Sequence, residues 1–104
     1  MSYYFIAEMF FDDDAWLQDY MARVTPVLEA HGAKILARTR NYDCLDDKSN
    51  PPAMIAVLEW PSREAAAKFA ATPESAALGK LREAHATSRA YMVPAEDELA
   101  RTKS

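Results

Sequence analysis

Apolar positions along this chain come in blocks, and the changes of spacing between blocks mark out six elements. Residues 3–11 (YYFIAEMFF) are rich in aromatic and other strand-favouring residues, with Glu8 as the one charge, and predict a strand. A strand apolar on both sides is normally covered on both faces, so this one is expected in the middle of a sheet. Asp12, Asp13 and Asp14 follow as a helix cap and acidic first turn. Trp16, Leu17, Tyr20, Met21, Val24, Val27 and Leu28 then recur at helical spacing as a single stripe, ended by Gly32 with His31 in the last turn. Pro26 inside that stripe removes a backbone donor and predicts a kink near Ala22 and Arg23, or a division into two helices.

Residues 33–40 set Ile35, Ala37 and Thr39 against Lys34, Leu36, Arg38 and Arg40, a strand with one more polar face. Residues 41–52 (NYDCLDDKSNPP) are turn formers and predict a long hairpin connection, from which Tyr42 and Leu45 could fold back on the core. Residues 53–60 (AMIAVLEW) are a second strand apolar on both sides, interrupted only by Glu59. Ser62 caps a helix from Arg63 to about Ala71, with Phe69 as its large apolar anchor. Thr72, Pro73 and Glu74 restart a helical stretch through Leu78, Leu81 and His85. Residues 88–93 (SRAYMV) alternate again as a fourth strand. The reading is one domain over residues 1–94, followed by a polar tail over 95–104 whose large apolar residue is Leu99.

The order strand, helix, strand, strand, helix, strand is the split βαβ, or ferredoxin-like, layout: an α+β fold with a four-stranded antiparallel sheet and the helices on one face. Helices cover one face only, yet strands one and three are apolar on both. A bare face of this kind exposes several hundred Å² of apolar surface, near the most a monomer tolerates. The expected cover is a second copy of the chain, pairing open faces about a two-fold axis into a dimeric α+β barrel. The rival cover is the hairpin and tail folding over. Alternation alone leaves open which set of β-strand residues, Tyr3, Phe5, Ala7, Met9 and Phe11 or Tyr4, Ile6 and Phe10, meets the partner.

Composition narrows the partners. With 104 residues, 50% hydrophobic and 27% charged, the chain is long enough for one core and too apolar for disorder. A formal net charge of −4 with scattered Lys and Arg argues against nucleic acid. Apolar runs are too short to cross a membrane, and Glu8 and Asp12 to Asp14 stand where a secretion signal needs apolar residues, so a cytoplasmic location is expected. One cysteine, Cys44, makes no internal disulfide, and no Cys/His spacing suggests zinc. No phosphate-cradling glycine loop or nucleophile elbow is present either.

Four segments carry a family resemblance: the first helix with Asp13, Tyr20, Pro26 and Gly32; ILAR at 35–38; VLEWPSREAA at 57–66; and TPESAALGKLREAHATSRAYMV at 72–93. Together they resemble the small bacterial domain-of-unknown-function family numbered 1330, of the dimeric α+β barrel superfamily, over residues 3–93. The chain departs from that pattern at its acidic, Pro-rich hairpin and at Pro94 and Ala95, where the family closes with Glu-Gly. The resemblance implies the fold and the dimer but no activity, since the family lacks an assigned reaction. Superfamily relatives include cofactor-free monooxygenases, lactone isomerases, polyketide cyclases and haem-dependent enzymes, and fold does not choose among them.

Glu59, in an apolar strand, could act as general acid or base through a desolvated carboxyl, or simply meet an Arg or solvent. Glu8 has the same two readings, with less to recommend a role. Arg38 could hold a carboxylate or enolate oxygen with its guanidinium fork, or close an ion pair with Glu59 across the hairpin. Arg82 and Ser88 match the family pattern; each could bind substrate, or complement a helix end and a turn. His85 is the candidate for proton transfer and the one reasonable haem ligand, although a core histidine is the commoner outcome; nothing else in the sequence suggests haem. His31 reads as a helix C-terminal cation. The expected function is therefore binding of a small anionic or enolic molecule, with cofactor-free isomerase, cyclase or monooxygenase-like chemistry by Glu59 and His85 and substrate held by Arg38, Arg82 and Ser88. No cofactor and no metal are expected, and the alternative is a non-catalytic structural or regulatory homodimer.

Overall fold

The computed structural model describes residues 1–101, so the last three residues of the expected tail lie outside the described residues. In chain order the elements are β1 (Tyr3–Phe10), α1 (Leu17–Ala30), β2 (Lys34–Thr39), β3 (Met54–Trp60), α2 (Arg63–Ala70), α3 (Pro73–Glu83), β4 (Thr87–Pro94) and a closing 3-10 turn, Glu98–Arg101. The strands form one antiparallel sheet in the order β2-β3-β1-β4. The two doubly apolar strands are therefore the central ones, and the fold is α+β ferredoxin-like, with three helices where the second helical region is split by Thr72 and Pro73.

Register settles the alternation. Phe5, Ala7 and Met9 pair with Leu58, Ala56 and Met54 on one side and with Met92, Ala90 and Ser88 on the other. This set faces the helices, where Ala7, Met9, Met54, Ala56, Leu58 and Trp60 are buried against Leu17, Tyr20, Val24, Leu28 and Leu78. Tyr4, Ile6, Glu8 and Phe10, with Ile55, Val57, Glu59, Arg89 and Tyr91, make the open face. The loop over 42–52 lies against one end of it, beside Glu8, Phe10, Ile55 and Arg89, and Tyr42 donates to the Pro52 carbonyl at 2.6 Å. Hairpin cover of the open face stops there: Tyr91 remains 49% exposed.

Ser62 and Thr72 cap α2 and α3, accepting from the Ala65 and Ser75 amides at 3.0 and 3.1 Å. The expected Asp12–Asp14 cap of α1 does not form. The Asp13 carboxylate instead accepts from the Ala15 amide at 3.1 Å, and its carbonyl accepts from the Trp16 indole at 2.8 Å. That local turn uses up the acidic residues before the helix opens at Leu17. Nor does Pro26 divide α1, which runs unbroken through it. Ala22 and Pro26 are both exposed, so solvent can satisfy the carbonyl that lost its donor.

One irregularity decides the site. Ile35 pairs with Leu58 but Ala37 pairs with Val57, so Leu36 is an extra residue in β2 and forms a β-bulge. Strict alternation puts Arg38 with Lys34 and Leu36 on the more polar side. The bulge moves it by one step, opposite Ala56 on the helix-covered face.

The molecule is a slab, 51 × 35 × 17 Å, with a radius of gyration of 15.0 Å against about 13 Å for a compact domain of this size. Among the described residues no large side chain falls below 2% exposure. One sheet and one helical layer leave the core thin.

Candidate functional site

Helices and sheet do not meet everywhere. Between α1, α2, α3 and the inner face of the sheet lies a cavity of about 370 Å³, at the small end of ligand-binding cavities. Its wall is largely Met, Leu, Phe and Ala from β1, β3, α1 and α2, into which a few polar groups project: Arg38, Arg82, Tyr20, Ser75 and Ser88. Among the described residues no Asp or Glu lines it.

Arg38 reaches the cavity because of the bulge. Its Nη1 donates to the Thr25 hydroxyl at 2.8 Å and lies 3.2 Å from the Met21 sulfur. Thr25 in turn donates to the Met21 carbonyl at 2.6 Å, which fixes its hydroxyl with a lone pair toward the guanidinium. Arg82 is in the last turn of α3, where a cation suits the helix dipole. It also projects inward, its Nη1 donating to the Tyr20 hydroxyl at 3.2 Å. Ser88 pairs with Met9 at the start of β4 and so points to the same side. Arg38, Arg82 and Ser88, three residues singled out in the sequence, thus share one cavity.

The other two do not join them. Glu59 lies on the open face, paired with Tyr4 and Lys34, because it is one step out of phase with the buried Leu58 and Trp60. The alternative of an Arg38–Glu59 ion pair is therefore not realised: the two side chains leave the sheet on opposite faces. His85 is not on the inner stripe either. The helix ends at Glu83 with Ala84 as its cap, so His85 leaves the helical period. It is exposed, its ring stacked on Trp16 at 5.4 Å and 8°. Glu8 meets Arg89 at 3.6 Å across the open face. The His31 ring bonds the Val27 carbonyl at 2.9 Å and packs edge-on to Phe69. Cys44 lies in the loop, its thiol donating to the Asp47 carbonyl at 3.2 Å.

Thr25 was missed in the sequence, because it lies just outside the apolar stripe of α1; Tyr20 stands in that stripe and among the residues that carry the family resemblance. The available signal was the arginines themselves: a guanidinium carried to an inner face needs acceptors, and α1 offers only these hydroxyls there.

Two groups in the loop over 42–52 titrate away from their ordinary values. Burial pushes the Tyr42 hydroxyl up, helped by the charges of Cys44 and Glu8, while the Ser49 amide and hydroxyl hold the Asp47 carboxyl down. Both residues belong to the loop over the open face. Among the described residues no group of three or more His, Cys, Asp or Glu is placed to hold a metal ion, and no helix is long and apolar enough to cross a membrane.

The sequence profile described as "Domain of unknown function (DUF1330)" matches residues 2–95. No curated protein matches the chain. Among solved structures, a protein of unknown function from Rhodopseudomonas palustris is similar with a TM-score of 0.74 and 16% identity, over 92% of this chain and 84% of that one. SnoaB, a cofactor-independent oxygenase from Streptomyces nogalater, is similar with a TM-score of 0.68 and 15% identity, over 94% and 96%. A dimeric ferredoxin-like protein of unknown function from Jannaschia sp. CCS1 gives 0.71 and 10% identity, over 90% and 99%. At these identities the likeness is one of fold.

Proposed function

The chain belongs to the domain-of-unknown-function family DUF1330, and from that premise we propose that it binds a small organic anion in the cavity between helices and sheet, as a homodimer. The observation that carries this reading is the pair Arg38 and Arg82 in an apolar wall without a carboxylate. A half-buried guanidinium whose close partners are a hydroxyl and a thioether keeps donors free for a planar oxyanion. Arg38 takes the role of anion holder, Arg82 and Ser88 that of further polar contacts, and the Met, Leu and Phe wall that of cover for the ligand's apolar part. Residues 1–94 form the binding domain in this reading.

The test is a thermal-shift screen of carboxylates and enols at low ionic strength. Stabilisation that is lost in Arg38→Met supports the reading; no stabilisation across acids small enough for the cavity refutes it.

A second reading, cofactor-free chemistry on the bound anion, is favoured by one contact. Tyr20 hydroxyl accepts from Arg82, which leaves its own proton available to the cavity. Glu59 and His85 have no place in that chemistry as the cavity is built. SnoaB shows that this fold can host a cofactor-independent oxygenase, in that protein.

The homodimer is proposed through the open face. Tyr4, Ile6, Phe10, Ile55, Val57 and Tyr91 form an apolar surface that a slab of this thickness cannot cover itself. A second copy covers it, as the dimeric Jannaschia relative suggests. Light scattering at micromolar concentration should then give twice 11.7 kDa.

A further inference from the structure

The charge of the cavity runs against the charge of the chain. The protein carries a formal net charge of −4, whereas the cavity wall carries two guanidiniums and no carboxylate. The two cations are anchored independently. Arg38 enters from the edge strand β2 and is held against α1 by Thr25 and Met21. Arg82 enters from the end of α3 and is held by Tyr20. Neither tether is charged. The carboxylate beside Arg82, Glu83, is 4.0 Å away with 73% of its side chain in water, so it is a weak and screened partner, while Arg82 itself is two-thirds covered, 33% of its side chain reaching solvent. Arg38 has no carboxylate at ion-pairing distance among the described residues.

A single anion in this space leaves one guanidinium uncompensated. Two fixed cations lining one apolar cavity are matched by two anionic groups and a greasy link between them. We infer that the ligand is an organic dianion of the dicarboxylate type, one acidic group on Arg38 and the other on Arg82, with an apolar spacer lying along Ala56, Leu58 and Phe69. Each guanidinium offers two parallel N–H groups to a carboxylate, and the separation of the two anchors selects the length of the spacer. The inference rests on the cavity being a ligand site, and adds to it the number of charges the ligand carries.

Calorimetric titration of the intact protein at low ionic strength, with the straight-chain dicarboxylates from succinate to suberate and with isophthalate, measures this directly. Hexanoate and benzoate supply the single-charge controls. The expected result is one dicarboxylate length that binds at least tenfold tighter than either control, with Arg38→Met and Arg82→Met each reducing it to the control level. Dicarboxylates that bind no tighter than benzoate, while benzoate binding is lost in Arg38→Met, overturn the dianion and leave the anion-binding reading intact. Failure of every carboxylate to bind overturns both. Should either variant fail to fold, the wild-type length series decides: a sharp optimum supports the dianion, and a flat series at the control level sinks it.

Discussion

Replacing Ile6 by aspartate puts the proposed assembly at risk without touching the cavity. Ile6 is half-buried at the middle of central strand β1, flanked by Val57 and Tyr91, and points away from the helices. In a lone subunit the half-buried side chain still borders water, so the carboxylate stays hydrated and the change costs about 1 kcal/mol through lost strand preference and apolar contact. In a dimer closed over the open faces, each copy buries a carboxylate with no partner, at a cost of about 3 kcal/mol per charge. The two-fold axis doubles that to about 6 kcal/mol, which weakens the dissociation constant by about four powers of ten. A nanomolar dimer becomes a tens-of-micromolar one, so light scattering should move from twice 11.7 kDa to 11.7 kDa at low micromolar concentration. Ala67→Asp, on the exposed side of α2, is the matched control and should leave the mass unchanged. A wild-type protein that runs as a stable monomer, or an Ile6→Asp protein that stays dimeric at nanomolar dilution, would refute the reasoning.

Thr25→Val keeps the shape of the side chain and removes the acceptor that holds Arg38; it should cost about 0.5–1.5 kcal/mol in urea unfolding and weaken anion binding several-fold, read by titration beside Arg38→Met. Gly32→Ala should destabilise by about 1–3 kcal/mol, because Gly32 has φ +94° and an added Cβ would come 3.3 Å from the Pro61 ring; the urea midpoint reports it. Asp47 titrates below its ordinary 3.8 through the Ser49 amide and hydroxyl. A lowered folded pKa stabilises above the unfolded value and loses that contribution as the pH falls through the folded one. Carbon-detected NMR should therefore find the Asp47 carboxyl still ionised at a pH where an unstructured aspartate is half-protonated, and Ser49→Ala should return it toward normal.

The fold was legible because its signals are local and repeated. The apolar runs of β1 and β3, the stripe from Trp16 to Leu28, and the caps at Ser62 and Thr72 each state a strand, a period or a stop that no tertiary contact overrides. The candidate site was legible in part, for the opposite reason. Arg38, Arg82 and Ser88 stood out as residue types, but their company depends on phase, and phase is fragile. One added residue at Leu36 carries Arg38 to the inner face, away from Glu59, which follows the undisturbed parity of β3 to the outer one. One residue of helix, lost at Ala84, takes His85 from the inner stripe to the surface beside Trp16. Periodicity records which residues alternate; it does not record where the count slips.

The slip at Leu36 has a second outcome, for how copies of the chain can associate. β2 is an outer strand of the sheet, and an uninterrupted outer strand offers its spare amides and carbonyls to any extended chain that drifts by. The extra residue kinks that margin and breaks the regular row of donors, so growth by strand addition is discouraged on this side. The same irregularity that aims a guanidinium inward therefore also makes this rim of the sheet a poor place for a further strand to add.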